Sequence, residues 1–208
     1  MKITWIGHMC FKIDCDGGSV VIDPFQPDAV PGYKPYKETA DLVLCTHQHF
    51  DHNYTEAVEL SGKEPGFKVE VIPAFHDDKN GAEKGTNDLY IIDDGQFRVG
   101  HFGDLGHLLS EEQLAAIGHL DALMINTAGF QPEAADHERA AKVVAQVQPS
   151  IVFPGHYRTD AFGFEGSKTV SQFLDLTDFP AIEAGLSSFE LDKKITGTCA
   201  VILNPSAV

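Results

Sequence analysis

The sequence predicts an α/β fold of four layers, an αββα sandwich in which two sheets pack face to face with helices outside. Three observations predict it. Short apolar segments of strand type fall into two groups along the chain, each followed by helical segments. The composition is globular, 43% hydrophobic and 22% charged. The 208 residues contain no repeat, low-complexity tract or linker, so one domain over 1–208 is expected.

The opening reads as a three-strand meander, Lys2 to Ile6, Cys10 to Cys15 and Ser19 to Asp23, broken by Gly7-His8 and by the tight-turn signal Asp16-Gly17-Gly18. Pro24 to Pro35 is irregular. Asp41 to Thr46 is a short apolar run of buried-strand type. Asn53 with Glu56 three residues on resembles a capping box, and Ala57, Val58 and Leu60 supply an apolar side, which predicts a helix here. Strands follow at Lys68 to Pro73, Asp88 to Asp93 and Gln96 to Phe102, the last two joined by Asp94-Gly95. Ser110 with Gln113 opens a helix that Gly118 closes. Asp121 to Asn126 reads as a strand. Pro132 suits a first helical turn, and the helix runs through Ala140, Val143, Val144 and Val147 until Pro149. Ile151 to Phe153 is a strand, Lys168 to Leu176 a helix, and Ser187 to Leu191 and Gly197 to Asn204 close the chain as strands.

Fifteen Lys and Arg against 31 Asp and Glu give a net charge of −16. Such a surface repels phosphate backbones and anionic lipids, and no basic patch offsets it, so neither nucleic-acid nor membrane binding is expected. MKITWIGHMC shows no basic region leading into an apolar signal core, which makes cytoplasmic residence the expectation. The four cysteines lie in strand-like segments without a CxxC pair, so buried thiols are expected. Ten histidines stand out in so acidic a chain.

Residues 47–52 read His47-Gln48-His49-Phe50-Asp51-His52. In extended backbone, residues two apart face the same way, so His47 and His49 can approach one metal ion. Asp51 and His52, past the turn, can face a second. Three isolated candidates each follow a strand, His76 in PAFHDD, Asp104 in HFGDLGH and His156 in FPGHY. Strand ends running into loops are where a rigid sheet carries its site residues. Cys45, two residues before His47, reads as a buried inert thiol. His107, Tyr157 and Arg158 are candidate substrate contacts, Arg158 for an anionic group, and Asn126 is another.

The order HxHxDH, His, Asp, His, with KITWIGHMCFKID, VIDPF, THQHFDHN, HFGDLGH and PGHY, resembles the metallo-β-lactamase-fold hydrolases. More closely it is similar to their branch of small Zn-dependent hydrolases related to L-ascorbate-6-phosphate lactonase. The resemblance runs from about Lys2 to Tyr157. It implies that His47, His49 and His76 hold a first metal, that Asp51, His52 and His156 hold a second, and that Asp104 bridges them. It also places His8 and Asp23 beside the ligands as supporting partners. The implied activity is hydrolysis of an ester, lactone, amide or phosphoester of a small substrate by a metal-bound hydroxide, which Asp51 orients. Zinc is the default ion for one or two sites, and a His/Asp set also suits manganese or iron. An iron-dependent dioxygenase and a nuclease share this fold and stay as alternatives. The chain departs from the family pattern at Asn126-Thr127-Ala128-Gly129, where a Pro-Val-Gly-Gly-like turn is common, and at Pro154-Gly155, where Met often precedes the His. Both lie beside the expected substrate pocket and leave the ligands intact.

Overall fold

The meander forms as expected in the computed structural model, which describes residues 1–128 and 136–208. Strands β1 (Lys2–Gly7), β2 (Cys10–Cys15) and β3 (Gly18–Ile22) pair antiparallel, with Ile3 opposite Ile13 and Ile13 opposite Val20. Next come β4 (Glu38–Ala40), β5 (Leu42–Leu44), β6 (Val58–Leu60), β7 (Lys68–Ile72), β8 (Leu89–Asp93) and β9 (Arg98–His101). Helix α1 (Glu111–Ile117) leads to β10 (Ala122–Asn126), then α2 (Asp136–Val147), β11 (Ile151–Gly155) and α3 (Val170–Leu174). Strands β12 (Ala181–Glu183), β13 (Ser188–Glu190) and β14 (Cys199–Ile202) end the chain. One sheet has five strands ordered β13-β1-β2-β3-β5, the other seven ordered β12-β14-β11-β10-β9-β8-β7, and β4 pairs with β6 in a two-stranded ribbon.

Alternation along the seven-stranded sheet builds two cores. Tyr90, Ile92, Ala122, Met124, Ile151 and Phe153 face the five-stranded sheet and pack with Trp5, Phe11 and Ile13. Their neighbours Leu89, Ile91, Leu123, Ile125 and Val152 face the other way, against Ile117 of α1, Val143 and Val144 of α2 and Phe173 of α3. Side chains that alternate between two apolar layers explain why these strands read as continuous hydrophobic runs. The N-terminus of α1 is fixed as its sequence implies. Ser110 Oγ accepts the Gln113 N–H while the Gln113 side chain accepts the Ser110 N–H, and Gly118, at φ 62°, ends the helix.

One expectation is overturned. The segment after the histidine cluster is not an α-helix but a single 3₁₀ turn, Thr55–Ala57, running into β6. Asn53 does not cap a helix because its amide donates to Gln48 O, and Tyr54 N–H is taken by Pro24 O. Val58 to Leu60 then pair in parallel with Glu38 to Ala40, an option that β-branched Val58 suits and that single-segment periodicity cannot reveal. Pro132 and Gly129 lie outside the described residues. No helix among the described residues is long and apolar enough to cross a membrane.

Candidate metal centre

Seven strand ends meet at one edge of the sandwich. His8 follows β1, Asp23 follows β3 and His47 to His52 follow β5, all from the five-stranded sheet. His76 follows β7, Asp104 follows β9, Asn126 ends β10 and His156 follows β11, from the seven-stranded one. Three of these residues turn sharply. His8, Asp23 and His156 adopt φ of 52°, 55° and 65°, the left-handed region that costs a non-glycine residue about 1 kcal/mol or more. The backbone there is pinned: His8 N–H donates to the Tyr33 hydroxyl (2.8 Å), and His8 O accepts from Trp5 Nε1 (2.9 Å) and His156 N–H (2.9 Å). Gly106 has to be glycine for a different reason, since a Cβ would collide with the His76–Asp77 peptide.

The seven ligand candidates converge in two overlapping groups. His47, His49 and His76 form the first, with ring centroids 4.6 to 4.9 Å apart and one donor atom from each within 4.8 Å of the others. Asp51, His52 and His156 form the second, and His8 joins them. Asp104 lies between. Its Oδ2 is 3.3 Å from His76 Nε2, 3.4 Å from His52 Nε2 and 3.5 Å from His156 Nε2.

Supporting hydrogen bonds determine which ring nitrogen is available. Asp23, fully buried, accepts from Thr46 N–H (2.6 Å), from the Thr46 hydroxyl (2.7 Å) and from His52 Nδ1 (3.0 Å). A carboxylate only accepts, so His52 Nδ1 carries hydrogen and Nε2 is turned to the cluster. Because the Thr46 proton goes to Asp23, its oxygen accepts from His47 Nδ1 (3.0 Å), which exposes the His47 Nε2 lone pair to the same cluster. Both Nε2 atoms are buried and without a hydrogen-bond partner. An orphaned buried polar group costs about 1 to 3 kcal/mol. Lone pairs and carboxylates aimed at common points fit a divalent cation, which would satisfy them together.

Electrostatics agree. Burial pushes the His47 imidazole down to about 3 and, with His8 beside it, His156 to about 4, so both are neutral ligands-in-waiting. Burial works against ionising Asp104, yet the imidazoles of His52 and His156 outweigh it and hold the carboxyl well below its usual range. Asp51 is likewise held low against burial, by the His8 hydrogen bond and by His52. His52 runs the other way: burial lowers it, but Asp104 and Asp23 hold it well above its ordinary value, so in the metal-free protein it carries the charge that an ion would replace. Burial raises the Cys45 thiol to about 12, which leaves it inert as expected.

The remaining candidates each make contacts within the fold. Asn126 Nδ2 donates to Asp104 Oδ1 (2.7 Å), which leaves Oδ2 for the imidazoles, and Asn126 Oδ1 accepts from Ala128 N–H. It positions the Asp104 carboxylate. Tyr157 is buried in the inter-sheet core, its ring 5.1 Å from that of Trp5, because its side chain turns inward after the His156 bend. His107 Nε2 accepts from Phe75 N–H (3.1 Å), holding the strand end that precedes His76. Arg158 Nε donates to Ser167 O (2.8 Å). Sequence reasoning missed Thr46, Tyr33 and Asn87. Buried Asn87 accepts from Asp104 N–H (2.9 Å) and donates to Phe102 O (3.0 Å), fixing the turn that carries the Asp104 carboxylate. The one signal for Thr46 was a hydroxyl ending an otherwise apolar strand.

Comparison with known proteins gives the geometry a family. The model of the beta-lactamase superfamily domain matches residues 2–156. A UPF0173 metal-dependent hydrolase of Methanoregula boonei is 31% identical, covering 84% of this chain and 94% of its own. Another, from Thermoplasma acidophilum, is 28% identical over 76% of this chain and 84% of its own. A crystal structure from Thermotoga maritima, assigned to the metallo-beta-lactamase superfamily as a Zn-dependent hydrolase, superposes with a TM-score of 0.70 at 26% identity, covering 98% of this chain and 99% of that one. The chain therefore belongs to the beta-lactamase superfamily domain family, among relatives named UPF0173 metal-dependent hydrolases.

Proposed function

We propose that this chain hydrolyses an ester, lactone, amide or phosphoester of a small substrate with two divalent ions, zinc foremost. The convergence of three imidazole nitrogens on Asp104 Oδ2 carries the reading, because it places both ligand groups around one shared oxygen. His47, His49 and His76 would hold one ion, Asp51, His52 and His156 the other, and Asp104 both. Such ions polarise the scissile group and lower the pKa of water to about 7.

The chain's own residues do the rest. Asp51 directs Oδ2 toward His8 (3.1 Å), His52 and His156 (3.9 Å each), where it orients the attacking water, and its low pKa suits it to that task rather than to proton donation. Asp23 and Thr46 accept the Nδ1 hydrogens of His52 and His47, which leaves Nε2 of each as the ligating nitrogen. His49 is exposed and is flanked by exposed Gln48 and by Phe50, 58% exposed, so substrate enters on that side. The net charge of −16 favours a small molecule over a polyanion and suits residence in the cytoplasm. Assays of lactones, carboxylic and phosphate esters and amides with zinc, manganese and iron test this. Hydrolysis should depend on metal and vanish in H49A and D51A. Unchanged turnover in both variants, or iron as sole ion with oxygen uptake, would refute it.

A further inference from the structure

His8 stands apart from the ligand pattern read from sequence, forty residues before it and on the other side of the first sheet's meander. Yet its donor atom lies with those of Asp51, His52 and His156, all four within 4.8 Å of one another and all four residues buried. Its ring is 3.8 Å from the His156 ring and 5.3 Å from the His52 ring, centroid to centroid. His8 Nε2 is 3.1 Å from Asp51 Oδ2.

We propose that His8 is a direct ligand of the buried ion, so that His8, Asp51, His52 and His156, with Asp104 shared, surround that position with protein donors. The inference rests on the metal-centre reading above. At bond lengths of about 2.1 Å, neighbouring donors on one ion lie about 3.0 Å apart at right angles and about 3.4 Å apart in a tetrahedron. The 3.1 Å between His8 and Asp51 falls inside that range, the 3.4 and 3.5 Å from His52 and His156 to Asp104 Oδ2 lie at its upper end, and the 3.9 Å from each of these two to Asp51 Oδ2 would have to close on an ion. A strained backbone at φ 52°, pinned by Tyr33, Trp5 and His156, is the kind of preorganisation a ligand needs and a surface turn does not. The first group as a whole does not match this enclosure, since His47 is buried but His49 is exposed and His76 half-buried. A position ringed by protein donors resembles a closed structural site, whereas one with three imidazoles and a solvent side keeps an open place. Entry of substrate therefore belongs to the His47, His49 and His76 position, with the attacking water oriented from the inner side by Asp51.

The rival role for His8 is a hydrogen bond from Nε2–H to Asp51, and H8Q separates the two. Glutamine keeps an N–H donor near the Nε2 position but removes the imidazole ligand. Zinc binding to wild type, H8Q and H8N is measured by equilibrium dialysis, with the metal-free proteins compared by circular dichroism and melting. The visible band of cobalt(II) is followed through the second equivalent. Wild type should bind two ions. H8Q should bind the first within about threefold of wild type, weaken the second more than the roughly 100-fold that outer-sphere changes cost, and shift the second cobalt band. H8N, which tolerates the left-handed backbone, should lose the second ion too and answers the question should H8Q not fold. An H8Q or folded H8N protein binding both ions within about tenfold of wild type, with an unchanged cobalt band, overturns the ligand role. A wild type that binds no ion overturns the metal centre itself.

Discussion

The two halves of the centre differ in enclosure, and only the inner one carries a carboxylate of its own. His47, His49 and His76 range from buried to exposed, while His8, Asp51, His52 and His156 are all buried. Support differs too. His52 is held by Asp23 directly, and Asp51 by His8, whereas His49 has no comparable hydrogen bond among those of the described residues. Burial and support make the inner half rigid and costly to empty, and the outer half accessible. One half suits retention of an ion, the other exchange.

The largest expected effect comes from removing the residue the halves share. D104A should lose both ions and abolish turnover, more than the ~10- to 100-fold cost of an outer-sphere change. Metal content and rate check it, and retention of either ion at full affinity would break the symmetry assigned to Asp104 Oδ2.

Next, H52A and H49A should diverge in stability. Without His52, Asp23 and Asp104 keep buried carboxylates without their strongest counter-charge, a loss of about 3 kcal/mol in the metal-free protein. H49A, at an exposed position, should leave the metal-free unfolding midpoint within about 0.5 kcal/mol of wild type while losing the outer ion. Denaturant titration distinguishes them.

T46V keeps shape but removes the oxygen between Asp23 and His47. Affinity at the outer position should fall about 10- to 100-fold by dialysis. The inner position should change less, because His52 still donates to Asp23.

A further effect is a pH dependence of the metal-free fold. His47 and His156 have folded values of about 3 and 4, below the unfolded 6.5, so as pH falls from 6.5 toward 4 the unfolded chain takes up protons that the folded chain refuses. Stability is lost on acidification, at most about 1.4 kcal/mol per pH unit for each group. His52, shifted upward, keeps its contribution below 6.5 and loses it only as pH rises, so it does not offset the loss. Melting curves from pH 7 to 4.5 check the slope, which should persist when both sites hold metal, because ligated imidazoles refuse protons too.

Much of this centre was legible in the sequence because its ligands sit where local rules are strong. A hexapeptide after a strand and three polar residues at strand ends need only alternation and the habit of sheets to carry function at their edges. Meander registers and the α1 capping box were legible for the same reason. The Asn53 segment was not, because the choice between helix and strand was made by β4, where Glu38 pairs with Val58 from a distant stretch of chain. Tyr157 faces the core because its side chain turns inward after the left-handed His156, and Thr46 was missed because its role depends on Asp23, brought to it from another strand. No pattern of spacing encodes that.

The contrast between the halves is tested most directly by metal release. Wild-type protein loaded with two zinc ions is mixed with excess chelator, and release is followed by a zinc-sensitive dye alongside H49A loaded the same way. Two phases of equal amplitude are expected, the fast one from the His47, His49 and His76 position and absent in H49A. A single phase for both ions, or a fast phase that survives in H49A, would contradict an open outer site beside a closed inner one.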